Sequence, residues 1–428
     1  MNRSHFRFIY LLAIEDVVRS PLIHSQAFPL LRHLARNTGW DPILASAYPL
    51  PNYWRFRYQR QQLKTILAAD SITQDMLPIA FLTRHFHIPA CLLPWYKMQA
   101  RAAASVLARR HNPRLIHARS YPAALLGLYL KQRTRAPLIL DARSLYIQEG
   151  EVVAEGGKGV MFGPKDVAAW KQEEARLMAA SDAITVVSQP MADILAQAYP
   201  QAADKIHTIP IAARAPDWSA LHDWRQRMRQ RLGFGSDTRV LVYLGSWFEP
   251  DLVLPIVERL HRLRPDIQWA LLLLVAHAPA GMEEVVSARL NRTIPVHHLS
   301  APHQEVQSYL AAADLAILPQ AKGLHLTHPA YRQRARSVLS IKFTEYLAAG
   351  LPVLAARNWA GAAADIVAKE DVGAVYDDLS DVALRAWVER WRAEAEAMRK
   401  RAWLYARHTF HPDVVFGRYQ ALYDHLTS

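Results

Sequence analysis

A lysine and a glutamate stand three residues apart in the stretch SIKFTEYLAAGLPVLA, residues 340–355. The composition from Ile341 to Ala349 favours a helix. Gly350 and Pro352 end it, because glycine accepts the left-handed conformation past a helix end and proline cannot continue one. Residues three apart on a helix share a face. A helix start offers free backbone N–H groups and the positive end of a dipole, which suit an anion such as a diphosphate. Lys342 would add a full charge there, and the Glu345 carboxylate can accept from paired hydroxyls such as those of a ribose. Read this way, the two residues clamp a nucleoside diphosphate. Read otherwise, they form an i,i+3 ion pair worth about a few tenths of a kcal/mol.

Other polar residues cluster where apolar runs end. His117 closes the run RLIHARSY and Arg119 follows two residues later; imidazole moves protons near neutral pH and guanidinium grips phosphates or acidic groups. Asp141, Arg143 and Glu149 follow the run APLILD, either as a functional group or as an Asp141–Arg143 ion pair. Glu149 or Asp141 is the candidate general base for an acceptor hydroxyl. His24 and Ser25 are placed in the first strand-to-helix loop, where Ser25 is equally an N-cap, as is Ser188. His297, His298 and His303 do not have the spacing of a zinc site, and no metal is expected. Cys91 is the single cysteine; it reads as a small buried apolar residue and points to a reducing compartment.

The elements that must position these residues alternate. Apolar runs at 7–14, 42–49, 114–121, 136–145 and 183–188 read as strands. Amphipathic stretches at 25–39, 122–134, 166–182 and 189–200 read as helices. The pattern restarts after a polar, basic linker at 212–238. Strands follow at 239–246, 267–276, 296–300 and 315–320, with the helix at 341–350 and a strand at 352–356. A long helical stretch closes the sequence. Such β-α alternation predicts parallel sheets covered on both faces. The fold class is α/β, with two doubly wound Rossmann-like domains facing a cleft. Residues 1–213 and 214–400 are the two domains, and a C-terminal helix at 401–428 crosses back to the first.

The chain has 428 residues, 51% of them hydrophobic, enough for two cores. FIYLLAI is too short for a signal peptide and stops at Glu15 and Asp16, and WALLLLVA is too short to span a membrane. A cytoplasmic location is expected, with room for peripheral attachment to the inner face of the membrane. Through Ala213 there are 25 Lys+Arg against 15 Asp+Glu, a net of +10; from Arg214 the counts are 26 and 23, a net of +3. A basic first half suits anionic partners, although a high arginine content is also a matter of genome composition. The stretch NYWRFRYQRQQLK (52–64) interleaves Trp54, Phe56 and Tyr58 with Arg55, Arg57 and Arg60. It suits an anionic membrane interface, a single-stranded nucleic acid, or a core-facing aromatic stripe with solvated arginines. No RNA-binding motif accompanies it, and no nucleic-acid partner is expected.

The stretch IKFTEYLAAGLPVLA, with AGAAADIV (360–367) and AAADLAILP (311–319), resembles the nucleotide-binding signature of GT-B glycosyltransferases. These belong to the large, mostly retaining family, family 4-like, that builds bacterial polysaccharides and glycans. YLGSW (243–247) resembles the first strand and phosphate loop of the second domain in that family. LIHARSYPAALLGLYLK, LILDARSLYIQEG and AITVVSQPM resemble its first domain. The resemblance implies a hexosyltransferase-type enzyme that moves a sugar from a nucleotide-diphosphate donor, UDP or GDP, to a glycan or lipid-linked acceptor with retention. The sugar nucleotide is a co-substrate, and neither a cofactor nor a metal is required. The implied donor-binding residues are Gly245, Ser246, Trp247, Ser340, Ile341, Lys342 and Glu345. The implied catalytic group is His117, Arg119, Asp141 and Glu149, with phosphate or acceptor contacts from His24, Ser25, Arg143 and Arg336.

The sequence also departs from the family pattern. Ser337 stands where many relatives have the first of two glutamates eight positions apart. The loop at 246–250 lacks the usual arginine and lysine, so the cations are sought in Lys342, Lys322 or the Arg332, Arg334, Arg336 group. These departures support an alternative: a non-catalytic GT-B subunit that binds for another transferase. A basic nucleic-acid-binding α/β protein is the third reading.

Overall fold

The apolar runs become the strands of two all-parallel sheets, which bury β-branched and aliphatic side chains on both faces. The structure, a computed structural model, describes residues 6–80, 88–156, 163–302 and 305–428, so His303 lies outside the described residues. The chain divides into two units, residues 1–209 with 415–428, and residues 210–414.

The first sheet holds β1 (Phe6–Ala13), β2 (Trp40–Pro49), β3 (Thr73–Ile79), β4 (Leu115–Arg119), β5 (Leu138–Asp141), β6 (Ala183–Val186) and β7 (Ile206–Thr208), in the order β3-β2-β1-β4-β5-β6-β7. Its unit carries helices α1 (Pro21–Asn37), α2 (Leu50–Arg55), α3 (Arg57–Ala69), α4 (Leu93–His111), α5 (Tyr121–Thr134), α6 (Tyr146–Gly156), α7 (Pro164–Ala180) and α8 (Gln189–Ala198). The second sheet holds β8 (Arg239–Trp247), β9 (Trp269–His277), β10 (Val296–Leu299), β11 (Leu315–Ile317), β12 (Val353–Ala355) and β13 (Gly373–Val375), in the order β10-β9-β8-β11-β12-β13. Its helices are α9 (Trp218–Leu232), α10 (Pro250–Leu263), α11 (Met282–Arg289), α12 (Val306–Ala311), α13 (Leu324–Thr327), α14 (Pro329–Ser337), α15 (Ile341–Ala348), α16 (Gly361–Lys369) and α17 (Asp381–Thr409). The last helix, α18 (Pro412–Thr427), contributes residues from Val415 onward to the first unit. There the Trp40 indole donates to Asp424 Oδ1 at 3.0 Å, and Tyr423 packs on Phe8 and Trp40.

In both sheets the strand order reverses beside the first strand, between β1 and β4 and between β8 and β11. Open α/β sheets form their ligand crevices beyond the carboxyl ends of the strands at such reversals.

The structure corrects several expectations. The helix expected over 25–39 begins four residues earlier, because Pro21 fits the first helical position and the apolar stripe starts at Ile23. His24 and Ser25 are therefore inside α1, not in a loop, and Ser20 holds the N-cap position. Ser25 Oγ donates back to Leu22 O at 3.3 Å, so it caps nothing. Cys91 is exposed, not buried, in a short 3-10 turn whose inward positions go to Ile88 and Leu93. The aromatic stretch at 52–64 forms α2 and α3 and splits by residue: Phe56 is buried, whereas Trp54 and Tyr58 are 64% and 70% exposed. The basic linker helix α9 spends part of its charge inside the second unit. Arg225 and Arg229 both bind the buried Asp314, which also accepts from Val240 N at 2.7 Å.

Candidate functional site

In the second unit, α15 is fixed across the reversal point by one side chain. Tyr346 Oη accepts from Leu244 N on β8 at 2.7 Å and donates to Ile317 O on β11 at 3.2 Å. The helix ends as its sequence requires. Gly350 has φ +66, and its N–H and that of Leu351 bond back to Leu347 O and Tyr346 O. A Cβ at Gly350 would also stand 3.0 Å from the Trp218 ring and 3.2 Å from Arg399 O. At the other end Ser340 is the N-cap residue in extended conformation, but its side chain caps nothing. Its Oγ is buried without a hydrogen-bond partner among the described residues. Phe343 N and Thr344 N turn back to Ser340 O, and the first-turn donors belong to Ile341 and Lys342.

Lys342 and Glu345 do not pair with each other. Lys342 Nζ donates to Tyr243 Oη at 3.4 Å and lies 4.9 Å from the centre of that ring. Tyr243 Oη in turn donates to Trp247 O at 3.1 Å. Burial lowers the Lys342 pKa to about 8, with no carboxylate acting to restore it. The buried Glu345 carboxylate accepts from Gln307 Nε2 on α12. The i,i+3 ion pair is thus absent, and a cation stands at a helix start without an anion among the described residues.

The segment read as a phosphate loop is still strand: β8 runs through Gly245 and Ser246 to Trp247. The Trp247 ring is 67% exposed and lies 5.2 Å from that of His277, at the end of β9. Of the alternative cations, Lys322 is paired with Asp251, and Arg336 is exposed on α14. Asp365 pairs with Arg357, and Ser337 Oγ donates to Arg334 O at 2.8 Å. His298 Nε2 lies 3.2 Å from Val275 O and His297 packs edge-on to Phe234. Among the described residues no group of three metal-ligating side chains occurs.

In the first unit, polar side chains gather at the carboxyl ends of β1, β4 and β5. Arg119 Nε lies 3.5 Å from Glu15 Oε2, and Arg143 Nη1 lies 3.5 Å from Asp141 Oδ1. Both guanidinium groups donate to one oxygen, Gln26 Oε1 on α1, at 3.1 and 2.6 Å. Burial would raise the Asp141 pKa, but Arg143, His117 and Arg119 hold it well below the usual carboxylate range. Glu15 is different: burial outweighs Arg119 and raises it. Two residues here have positive φ without being glycine: Ile14 at +68 and Ser120 at +69. A β-branched residue in that region is strained, and strain of this kind concentrates at functional sites. The sequence signalled Arg119, Asp141 and Arg143, but not Glu15 or Gln26, which lie in a run end and a helix with no motif of their own.

His117 is a correction. It stands in the middle of β4, fully buried, between the rings of Tyr10, Tyr419 and Tyr423. Nδ1 bonds Tyr423 Oη, and Nε2 lies 3.5 Å from Asp141 Oδ2. Burial lowers its pKa. With no exposed surface it touches no substrate from this position; it supports Asp141. His24 Nε2 lies 3.1 Å from Val17 O, and the ring stacks on Phe28. Ser144 Oγ donates to Glu149 Oε2 at 2.8 Å, at the start of α6. Ser188 is the expected N-cap, accepting from Met191 N at 3.4 Å.

Residues 30–212 match the family model Glycosyltransferase Family 4. No curated protein matches the sequence. Solved structures match nearly the whole chain. A glycosyltransferase from Rickettsia africae has a TM-score of 0.66 at 12% identity, covering 99% of this chain and 98% of its own. Sucrose-phosphate synthase from Thermosynechococcus elongatus has a TM-score of 0.66 at 16% identity, covering 98% and 99%. Anabaena HepE in complex with UDP has a TM-score of 0.62 at 14% identity, covering 98% and 100%. At such identities the likeness is one of fold: this chain has the GT-B fold of glycosyltransferases, and residues 30–212 carry the sequence pattern of Glycosyltransferase Family 4.

Proposed function

We propose that the chain is a glycosyltransferase that takes a sugar from a nucleoside-diphosphate donor held by the second unit. The observation that carries this reading is Lys342: a partly buried ammonium at the start of α15, beside a sheet reversal, with no carboxylate acting on it. A cation costs folding energy when buried without a partner, and an incoming diphosphate supplies that partner. The first-turn N–H groups and Ser340 Oγ face the same need. Glu345 is the ribose acceptor, exchanging or sharing its bond from Gln307. Gly245, Ser246 and Trp247 border the phosphates and sugar. HepE has been solved with UDP and with UDP-glucose, which supports UDP as the first donor base to test, with GDP next. The chemistry asked of the site is binding and orientation of the leaving diphosphate, so no metal is called for.

The first unit is proposed to hold the acceptor, a glycan or lipid-linked sugar, at the Glu15, Arg119, Asp141, Arg143 group, with Glu149 nearby in sequence. Retention of configuration belongs to the same reading. Residues 50–69 contain four basic residues and no acidic one, with Trp54 and Tyr58 turned to solvent. That surface suits peripheral docking to an anionic cytoplasmic membrane face. Loss of sedimentation with anionic vesicles in Trp54→Ala/Tyr58→Ala tests it.

Thermal shifts with UDP, GDP, ADP, CMP and their sugar conjugates in low salt test the donor site. Selective stabilisation by one diphosphate supports the reading; a folded sample that responds to none refutes it. Ser337 in place of a glutamate favours a second reading, a subunit that binds donor without turning it over. Slow release of free sugar from the selected donor by the isolated protein excludes that reading.

A further inference from the structure

The first unit contains an open cavity of about 530 Å³ whose lining shares no residue with either polar group described above. It lies between the edge strand β7, the start of α8 and the last turns of α18, and every lining residue belongs to that unit. Its polar lining is entirely donor or amphoteric: Gln189, His207, Thr208, Arg418 and His425, over an apolar floor that includes Leu422. No carboxylate lines it. Of the acids close in sequence, Asp204 is exposed, Asp193 accepts from the lining Gln189 Nε2 at 2.9 Å, and Asp424 accepts from the Trp40 indole. Lys205 turns away to Ala179 O. Arg418 forms no ion pair with a described residue, and Thr208 Oγ1 donates to Gln189 Oε1 at 3.1 Å, leaving the amide nitrogen side toward Asp193.

Three nitrogen side chains, the exposed Arg418 and His425 and the half-buried His207, line this open hollow of small-molecule size with no carboxylate among the lining residues. The ligand that satisfies them is a compact anion with several acceptor oxygens, and the apolar floor accommodates a carbon body behind it. We propose that this cavity binds a small phosphorylated molecule, at a site separate from the one that holds the sugar nucleotide.

His207 makes such binding draw in a proton. His207 is lowered by burial and by the neighbouring His425, and no acid on β7, α8 or α18 opposes this. A bound phosphoryl group reverses that balance and favours the protonated His207 imidazole. Affinity is then greater at about pH 6.5 than at pH 8, while the phosphate monoester stays largely dianionic.

Isothermal titration calorimetry of the full chain with phenyl phosphate and with inorganic phosphate tests the proposal. Phenyl phosphate is expected to bind about fivefold or more tightly at pH 6.5 than at pH 8, with net proton uptake seen by changing the buffer's ionisation heat. Arg418→Gln and His425→Gln are each expected to weaken it about tenfold, while leaving the thermal shift with UDP at its wild-type size. Tighter binding of phenyl phosphate than of phosphate identifies a phosphorylated organic ligand; equal binding identifies free phosphate. Absence of heat from either at millimolar concentration, or binding unchanged in both variants, overturns the proposal. Neither result bears on the donor site, which the UDP shift reads separately.

Discussion

Replacing Lys342 with methionine should make the protein more stable and less able to hold a nucleotide. The lowering of the Lys342 pKa from 10.5 to about 8 is a statement about folding: the native state disfavours the ammonium by ~3 kcal/mol, at about 1.4 kcal/mol per unit. Methionine keeps the length of the side chain and removes that cost. It also removes the contact with the Tyr243 ring, worth about 0.5–1 kcal/mol. The net gain is ~2–3 kcal/mol, and at about 2–4 °C per kcal/mol for a domain of this size, Tm of the second unit rises by roughly 5–10 °C. The pH dependence carries the same signature. Between about pH 8 and 10.5 the folded amine has lost its proton and the unfolded one has not, so wild-type stability rises with pH across that window. Lys342→Met lacks that rise, because its gain is already present at pH 7. In the wild type, nucleotide affinity should fall as pH climbs through about 8, since the amine that meets the diphosphate becomes neutral. Denaturant melts across pH and calorimetric titration with the diphosphate selected by thermal shift provide the readings. A Lys342→Met protein that is less stable than wild type, or that binds the nucleotide as tightly, refutes the reasoning.

Tyr346→Phe deletes the hydroxyl that joins β8 to β11 and leaves Leu244 N without its acceptor, so urea melts should show a loss of about 1–3 kcal/mol. Gly350→Ala forces a Cβ into the left-handed region against Trp218, and a loss of about 1–3 kcal/mol in the same assay is expected. Asp141→Asn leaves Arg143 without its buried counter-charge and should cost about 3–5 kcal/mol at pH 7. Because the folded pKa of Asp141 is depressed, its contribution is complete above the unfolded value near 4 and fades as pH falls below it; the variant's acid limb should be correspondingly shallower.

Much of the architecture was legible because parallel strands buried on both faces leave continuous apolar runs, and those at 7–14, 42–49, 239–246 and 267–276 all became strands. The short edge elements were not legible. Nothing in IHT or GAV separates β7 or β13 from loop, since three-residue strands owe their form to the neighbour they pair with. The start of α15 was readable from Ser340 to Glu345, because helix caps and charges are local. Who partners Lys342 was not: Tyr243 lies 99 residues away on another element. His117 misled for the same reason. Its place after an apolar run suggested a strand end, whereas α18, about 300 residues later, wraps its ring in tyrosines.

The division of α17 and α18 between the units has a consequence for how the chain is made. The second unit is in effect inserted into the first, so residues 415–428 leave the ribosome about 200 residues after the rest of their unit. At roughly 5–20 residues per second that is a delay of about 10–40 s. During it, Phe8, Trp40 and His117 lack Tyr423, and the first sheet is unsealed on that side. The first unit to be translated is therefore the last to be completed, and until α18 arrives its nascent form exposes apolar surface that the finished fold covers.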